Sequence, residues 1–215
     1  MATSSTTPKT EPNLWTAAEF ARPPLTVARE LLGMHLIHDS ADGRCVGRIV
    51  ETEGYTQDDP AFQGWRVLDP DTGQLRTTGR GAIFYGAPGS AYIYRSWGHW
   101  LLNIITQPEG QAGAVLIRAV EPMAGLEHIA QRRPKARCPI GQTNGPGRLT
   151  EAFGLTGQLT GHRMIQLPLA IGRPATLAEL PTIANSPRIG LRYGTHLPRR
   201  FLFKDNPYCS PARPG

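Results

Sequence analysis

The sequence predicts an α+β fold: a single domain around a mainly antiparallel, curved β-sheet, with flanking helices and a protruding β-hairpin. Three observations predict it. Short β-branched stretches and short helical stretches are mixed without regular strand–helix–strand alternation, which argues against a parallel sheet. Forty per cent of the 215 residues are apolar, ordinary for a globular protein and enough to bury one real core. Two aromatic-rich stretches, YIYRS and HWLLN, flank a Trp97-Gly98 turn signal, as a hairpin would.

The elements follow in order. Residues 1–15 read as a disordered polar tail and 16–215 as the domain; the opening MATSSTTPKT has no apolar stretch of the kind a secretory signal needs. PPLTVARELLGMHLIH begins with prolines suited to a helix N-terminus. Leu25, Ala28, Leu31 and Leu32 share a helical face, Gly33 fits the C-cap, and MHLIH reads as a strand. RCVGRIVETEGY (44–55) is a strand. Residues 66–82 are a loop rich in Gly, Thr, Asp and Pro that carries Arg66, Arg76 and Arg80. AIFYGAPGSAYIYRSWGHWLLNIIT (82–106) is β-like, with turns at Pro88-Gly89 and Trp97-Gly98. AGAVLIRAVEP is a buried strand ending at Glu121-Pro122. A helix is expected over 122–133, opened by Pro122 and closed before Pro134. A loop (134–147), a short helix after Pro146, and short strands with loops complete the chain.

Composition narrows the function. Three cysteines (Cys45, Cys138, Cys209) stand far apart, with no CxxC or CxxH spacing, so neither a disulfide framework nor a zinc site is expected. A reducing, cytoplasmic setting follows as the default. No apolar run approaches twenty residues, so no membrane span is expected. The net charge of +6 is carried by 20 arginines and three lysines, Lys9, Lys135 and Lys204. A basic, arginine-rich surface suits a polyanionic partner; a GC-rich genome would also spell its basic residues as arginine.

Two stretches could carry chemistry. In IVETEGYTQDDPAFQGW, strand alternation puts Glu51, Glu53 and Tyr55 on one side, with Thr52 and Gly54 on the other. The glutamate Cα atoms would lie roughly 6–7 Å apart. Buried together, two carboxylates would raise each other's pKa toward that of a general base. The same residues fit a solvated edge strand, and nothing in them says which glutamate would act. Asp58-Asp59 before Pro60 reads as a turn. In YIYRSWGHW, Trp97 would project from a hairpin tip. A protein that extracts a base from a duplex needs such a wedge and aromatic walls for the extruded base, which Tyr55 and Tyr94 could form. The aromatics fit a core equally well.

Taken together, ETEGY with its acidic-Pro turn, GAPGSAYIYRSWG…LN, GAVLIRAVEPMAGLE, NGPGRL, PRIG and RRFLFKDNPYCS resemble the alkyladenine (3-methyladenine) DNA glycosylases. The six motifs run in order from about residue 22 to 210. The resemblance implies a DNA repair enzyme of base excision. It would flip damaged purines (3-methyladenine, 7-methylguanine, hypoxanthine or ethenoadenine) out of duplex DNA and hydrolyse the N-glycosidic bond. It implies Glu53 as general base, with Arg118 and the Ile189 backbone carbonyl holding the nucleophilic water. Tyr55 and Tyr94 would stack on the base, Asn103 would screen against the amino group of normal guanine, and Trp97 would intercalate. Gln63, beside Phe62, takes the place of the histidine that usually flanks the base pocket. The implied partner is double-stranded DNA, with no cofactor, no metal and a monomeric protein near the nucleoid.

Lys9 and Lys135 lie outside the motifs, and Lys204, in RRFLFKDNPYCS, is far in sequence from ETEGY and the aromatic hairpin, so a water nucleophile is expected rather than an amine, and therefore no strand-cutting activity. Arg66, Arg76, Arg80 and Arg95, with Arg132 and Arg133, are the candidates for DNA phosphate contact. Two other classes share the paired carboxylates or the fold: a glycoside hydrolase, which would act on glycans rather than alkylated DNA, and a catalytically silent lesion-binding protein.

Overall fold

The protein is described here from a computed structural model, in which residues 12–62, 81–176 and 180–211 are placed. Gln63, Arg66, Arg76 and Arg80 lie outside the described residues.

One long strand organises the molecule. The hairpin of β1 (His35–Ser40) and β2 (Gly43–Thr56) runs into the sheet centre. β2 pairs along its length with β5 (Gly113–Ala124). Its other edge is shared: β1 takes the first half and β9 (Arg200–Phe203) the second. Beyond β5 lie β4 (His99–Ile105) and β3 (Ala91–Ser96), beyond β1 lie β7 (Leu169–Gly172) and β6 (Ile165–Gln166), and β8 (Ile183–Ser186) covers β9. All these pairings are antiparallel, as the sequence predicts.

Period-two alternation splits the sheet into two faces. Ile93, Leu102, Ile104, Val115 and Ile117 point into the main core. Helices α1 (Ala17–Phe20), α2 (Pro24–Glu30), α3 (Leu126–Arg132) and α4 (Pro146–Phe153) accompany that face, contributing Phe20, Val27, Ala28, Ile129, Leu149 and Phe153. Each fully buried phenylalanine contributes on the order of 1.5–3 kcal/mol. α2 begins at its proline, as expected, and packs directly on β2: Thr52 Oγ1 donates to the Ala28 carbonyl at 2.7 Å. A Cβ at Gly54 would come within 2.7 Å of Leu25, so glycine permits this close approach. On the opposite face Tyr92, Ile105 and Ala114 form a second cluster with Phe62, Phe84 and Tyr85. That face carries the site.

Two boundaries differ from expectation. β5 does not stop at Pro122 but continues to Ala124, and α3 starts only after Gly125, which adopts a left-handed conformation. Pro122 is accommodated opposite Gly47 where the β2–β5 register shifts, a bulge that spares a ladder hydrogen bond. At the N-terminus, Trp15 is buried in the main core and its N–H bonds the Ile171 carbonyl at 2.9 Å. Trp15 therefore packs as part of the domain. No described helix is long and apolar enough to cross a membrane.

Candidate active site

The expectation of a solvated edge strand fails for Glu51 and Glu53. β2 is central, and both carboxylates are completely buried. They do share a face, because one arginine reaches both: Arg118 Nε lies 2.7 Å from Glu51 Oε1, and Nη1 lies 3.1 Å from Glu53 Oε1. The strand places Arg118 there by a bulge. Thr52 pairs with Ile117 and Glu51 with Ala119, so Arg118 is the extra residue. Bulges beside functional sites re-aim a side chain in this way.

The two glutamates then part company. Glu51 accepts from Arg118, from Arg200 Nε at 2.6 Å, from Ser210 Oγ at 2.6 Å and from the Ser210 N–H at 2.5 Å. Burial pushes its carboxyl up, but Arg118 and Arg200 outweigh that and hold it below 4.5. This reverses the expected raised pKa for that residue: compensating cations, not the second carboxylate, set its environment. Arg118 is buried too, which would lower its pKa, yet Glu53 and Glu51 raise it.

Glu53 has a different surround. Its Oε1 accepts the Ile189 N–H at 2.9 Å as well as Arg118, while its Oε2 accepts the Tyr55 hydroxyl at 2.8 Å and no other group among the described residues. Tyr55 is held in turn: burial and the neighbouring Glu53 push its hydroxyl well above 10. The structure thus brings Glu53, Arg118, Ile189 and Tyr55 together. The Ile189 contact seen here is made by its N–H to Glu53.

Beside Tyr55 opens a cavity of about 180 Å³ lined by Phe62, Phe84, Tyr94, Asn103, Leu116 and Leu191 among others. An apolar cavity of ~150 Å³ admits a benzene, so one aromatic ring system fits here. Its wall is an aromatic ladder. Phe62 meets Phe84 edge-on at 4.7 Å, Phe84 meets Tyr92 at 4.9 Å, and Tyr92 stacks on Tyr94 at 5.1 Å. Burial drives the Tyr94 hydroxyl up to about 12. Asn103 Nδ2 donates to the Tyr92 carbonyl at 3.4 Å, which fixes its amide in the wall. Phe62, next to the position where a histidine was expected, is buried in this wall.

Trp97 stands apart. β3 and β4 close on a two-residue turn, with Ser96 opposite His99 and Arg95 opposite Trp100. Trp97 is 91% exposed, and both it (φ +49°) and Gly98 (φ +83°) are left-handed. A type I′ turn needs positive φ at both positions and prefers Asn-Gly there; a tryptophan is strained. Neither core packing nor turn geometry accounts for this residue. Arg95, a phosphate candidate, is exposed beside it, with its guanidinium 5.5 Å from the Trp100 ring centroid and Nη2 on the Gly98 carbonyl at 3.2 Å.

The sequence reading missed several residues. Asp59 does turn the chain, with Ala61 N–H on its Oδ1 at 2.9 Å, but it is also buried and ion-paired to Arg188 and Arg199. Arg188, Arg200 and Ser210 sit inside quoted motifs. No local pattern singles them out.

Known proteins resemble this chain over most of its length. The family model for methylpurine-DNA glycosylase matches residues 18–207. Among similar curated proteins is one from Salinibacter ruber, 45% identical over 202 residues, covering 93% of this chain and 97% of that protein. Others come from Methanoculleus marisnigri (38% identical; 90% and 97% covered) and Prosthecochloris aestuarii (40% identical; 91% and 90% covered). All three carry the name "Putative 3-methyladenine DNA glycosylase". Fold, pocket and similarity together define an enzyme of DNA repair, one that acts on bases. The chain belongs to the methylpurine-DNA glycosylase family.

Proposed function

We propose that this enzyme flips alkylated purines out of duplex DNA and hydrolyses the N-glycosidic bond with a water activated by Glu53. One observation carries the choice of base. Glu51 is bound by Arg118, Arg200 and Ser210, none of which lines the cavity, whereas Glu53 Oε2 accepts the hydroxyl of Tyr55, which does. The flipped base occupies the cavity between Tyr55 and Tyr94, which supplies stacking. The water's oxygen bonds C1′ as the C1′–N bond breaks; its proton passes to Glu53, and the bond pair leaves with the purine, giving an abasic site. Arg118 compensates the carboxylate charge, the Ile189 segment helps hold the water, and Asn103 excludes the amino group of normal guanine.

The cavity's phenols bear on substrate range. A cationic 3-methyladenine or 7-methylguanine leaves without protonation, whereas neutral hypoxanthine departs better when protonated. Tyr55 and Tyr94 hold their protons to high pH, and the other described lining residues offer no stronger acid. Chromatography of purines freed from modified duplexes tests this. Alkylated purines are expected to be released faster than hypoxanthine. Strands should stay intact, and borohydride should trap no adduct, since Lys135 and Lys204 are both exposed and neither lines the cavity. Release that is faster for hypoxanthine, or a trapped adduct, contradicts the mechanism.

Trp97 fills the space left by the flipped base. Trp97→Asn restores the preferred turn residue, so the thermal midpoint should hold or rise. Duplex binding should weaken by ~1–3 kcal/mol, the range of one lost base–aromatic stack. Titrations of duplex DNA alongside thermal melts read both effects.

A further inference from the structure

We propose that Arg188 and Asp59 are positioning residues for base removal: together they fix Tyr55 and the Ile189 N–H against Glu53. The inference rests on the reading of Glu53 as base.

The Arg188 side chain has no exposed surface. Its fork grips Asp59, Nη1 to Oδ2 at 2.5 Å and Nη2 to Oδ1 at 2.9 Å. Nη1 also donates to the carbonyl of Gly54, the residue between Glu53 and Tyr55, at 3.2 Å. Its guanidinium carbon lies 4.4 Å from the Tyr55 ring centroid. One planar cation therefore covers a face of Tyr55, fixes the strand beside that ring, and is bonded through the chain to Ile189. A planar fork can do all three at once; a lysine ammonium is a point charge with no plane to stack.

Asp59 makes the burial of that cation possible and adds a second tether. Arg199 Nη1 reaches Asp59 Oδ2 at 2.9 Å and Thr56 Oγ1 at 2.6 Å. Burial pushes the Asp59 carboxyl up, but Arg188 and Arg199 hold it below 3.8. The turn after β2 is thus tied to the segment that carries Ile189, Gly190 and Leu191, and the last two line the cavity.

Among the described residues, the backbone of 187–193 donates one hydrogen bond, from Ile189 to Glu53. Arg188 Nε is buried with no partner among the described residues, a cost in stability that a packed apolar side chain would avoid. The arrangement spends stability to place a ring and an N–H against a carboxylate.

Single-turnover release from a duplex with one 7-methylguanine tests the proposal, with duplex affinity and thermal midpoint measured on the same samples. Arg188→Lys keeps the charge facing Asp59 and loses the fork. Asp59→Asn combined with Arg188→Gln removes both charges and guards against misfolding of the single variant. Misplacement by a fraction of an ångström is expected to lower the rate constant about ten- to hundredfold, at full reaction amplitude and near-wild-type affinity. A merely structural role would lower the amplitude and leave the rate constant of the remaining active protein unchanged. That result, or a wild-type rate constant in either variant, overturns the inference. Glu53→Gln run in parallel separates the two readings. If it releases base normally, the proposed base is wrong; if it is inactive while Arg188→Lys is normal, only the positioning role fails.

Discussion

Replacing Glu51 by alanine is expected to cost about 3–5 kcal/mol of stability, the penalty for leaving buried cations uncompensated. Small domains have only ~5–15 kcal/mol in total, so the loss should be evident in a denaturant titration. The cause is specific. Arg118, Arg200 and the Ser210 hydroxyl all converge on Glu51 Oε1, and the Ser210 N–H bonds Oε2. With the carboxylate gone, two buried guanidiniums and a serine lose their common acceptor. Glu51→Gln keeps the shape and should cost less.

The same residue sets an acid limit. Its folded pKa lies below 4.5, so the unfolded chain binds the proton more readily. Its stabilisation is complete above the unfolded value and is lost as pH falls through the folded one. Asp59, held below 3.8, acts with the same sign. Stability should therefore decline as pH drops below about 4.5, and Glu51→Gln should flatten part of that decline.

Glu53→Gln is expected to leave the fold and duplex binding intact while base release falls about 10²- to 10⁴-fold, the range for loss of a general base. The amide oxygen can still accept from Ile189 and Arg118 or from Tyr55, so the residue remains packed. It can no longer take a proton from water. Glu51 is not expected to substitute, because Arg118, Arg200 and Ser210 hold its carboxylate and none of them lines the cavity.

Much of this site was legible because strand alternation is a strong rule. It placed Glu51, Glu53 and Tyr55 together with Thr52 and Gly54 opposite, and the structure has that arrangement. The Trp97-Gly98 turn was legible because two-residue hairpins have a narrow chemistry. Arg118 was reachable only by resemblance, since its position depends on a bulge that no local pattern announces. Burial of the glutamates was not legible either, because it depends on arginines 65 and more residues away in sequence. Asp59 shows the same limit: its local turn was right, but the partners Arg188 and Arg199 arrive from the stretch between β8 and β9. The 122–133 helix was misplaced because a proline read locally as a helix start instead sits at a strand bulge.

The most direct test of the central claim is single-turnover release of 7-methylguanine from one duplex by wild-type enzyme and Glu53→Gln, with the bound fraction measured in each reaction. The expected result is complete binding by both proteins and release by the wild type alone on the same timescale. Release by Glu53→Gln at the wild-type rate would show that another group activates the water.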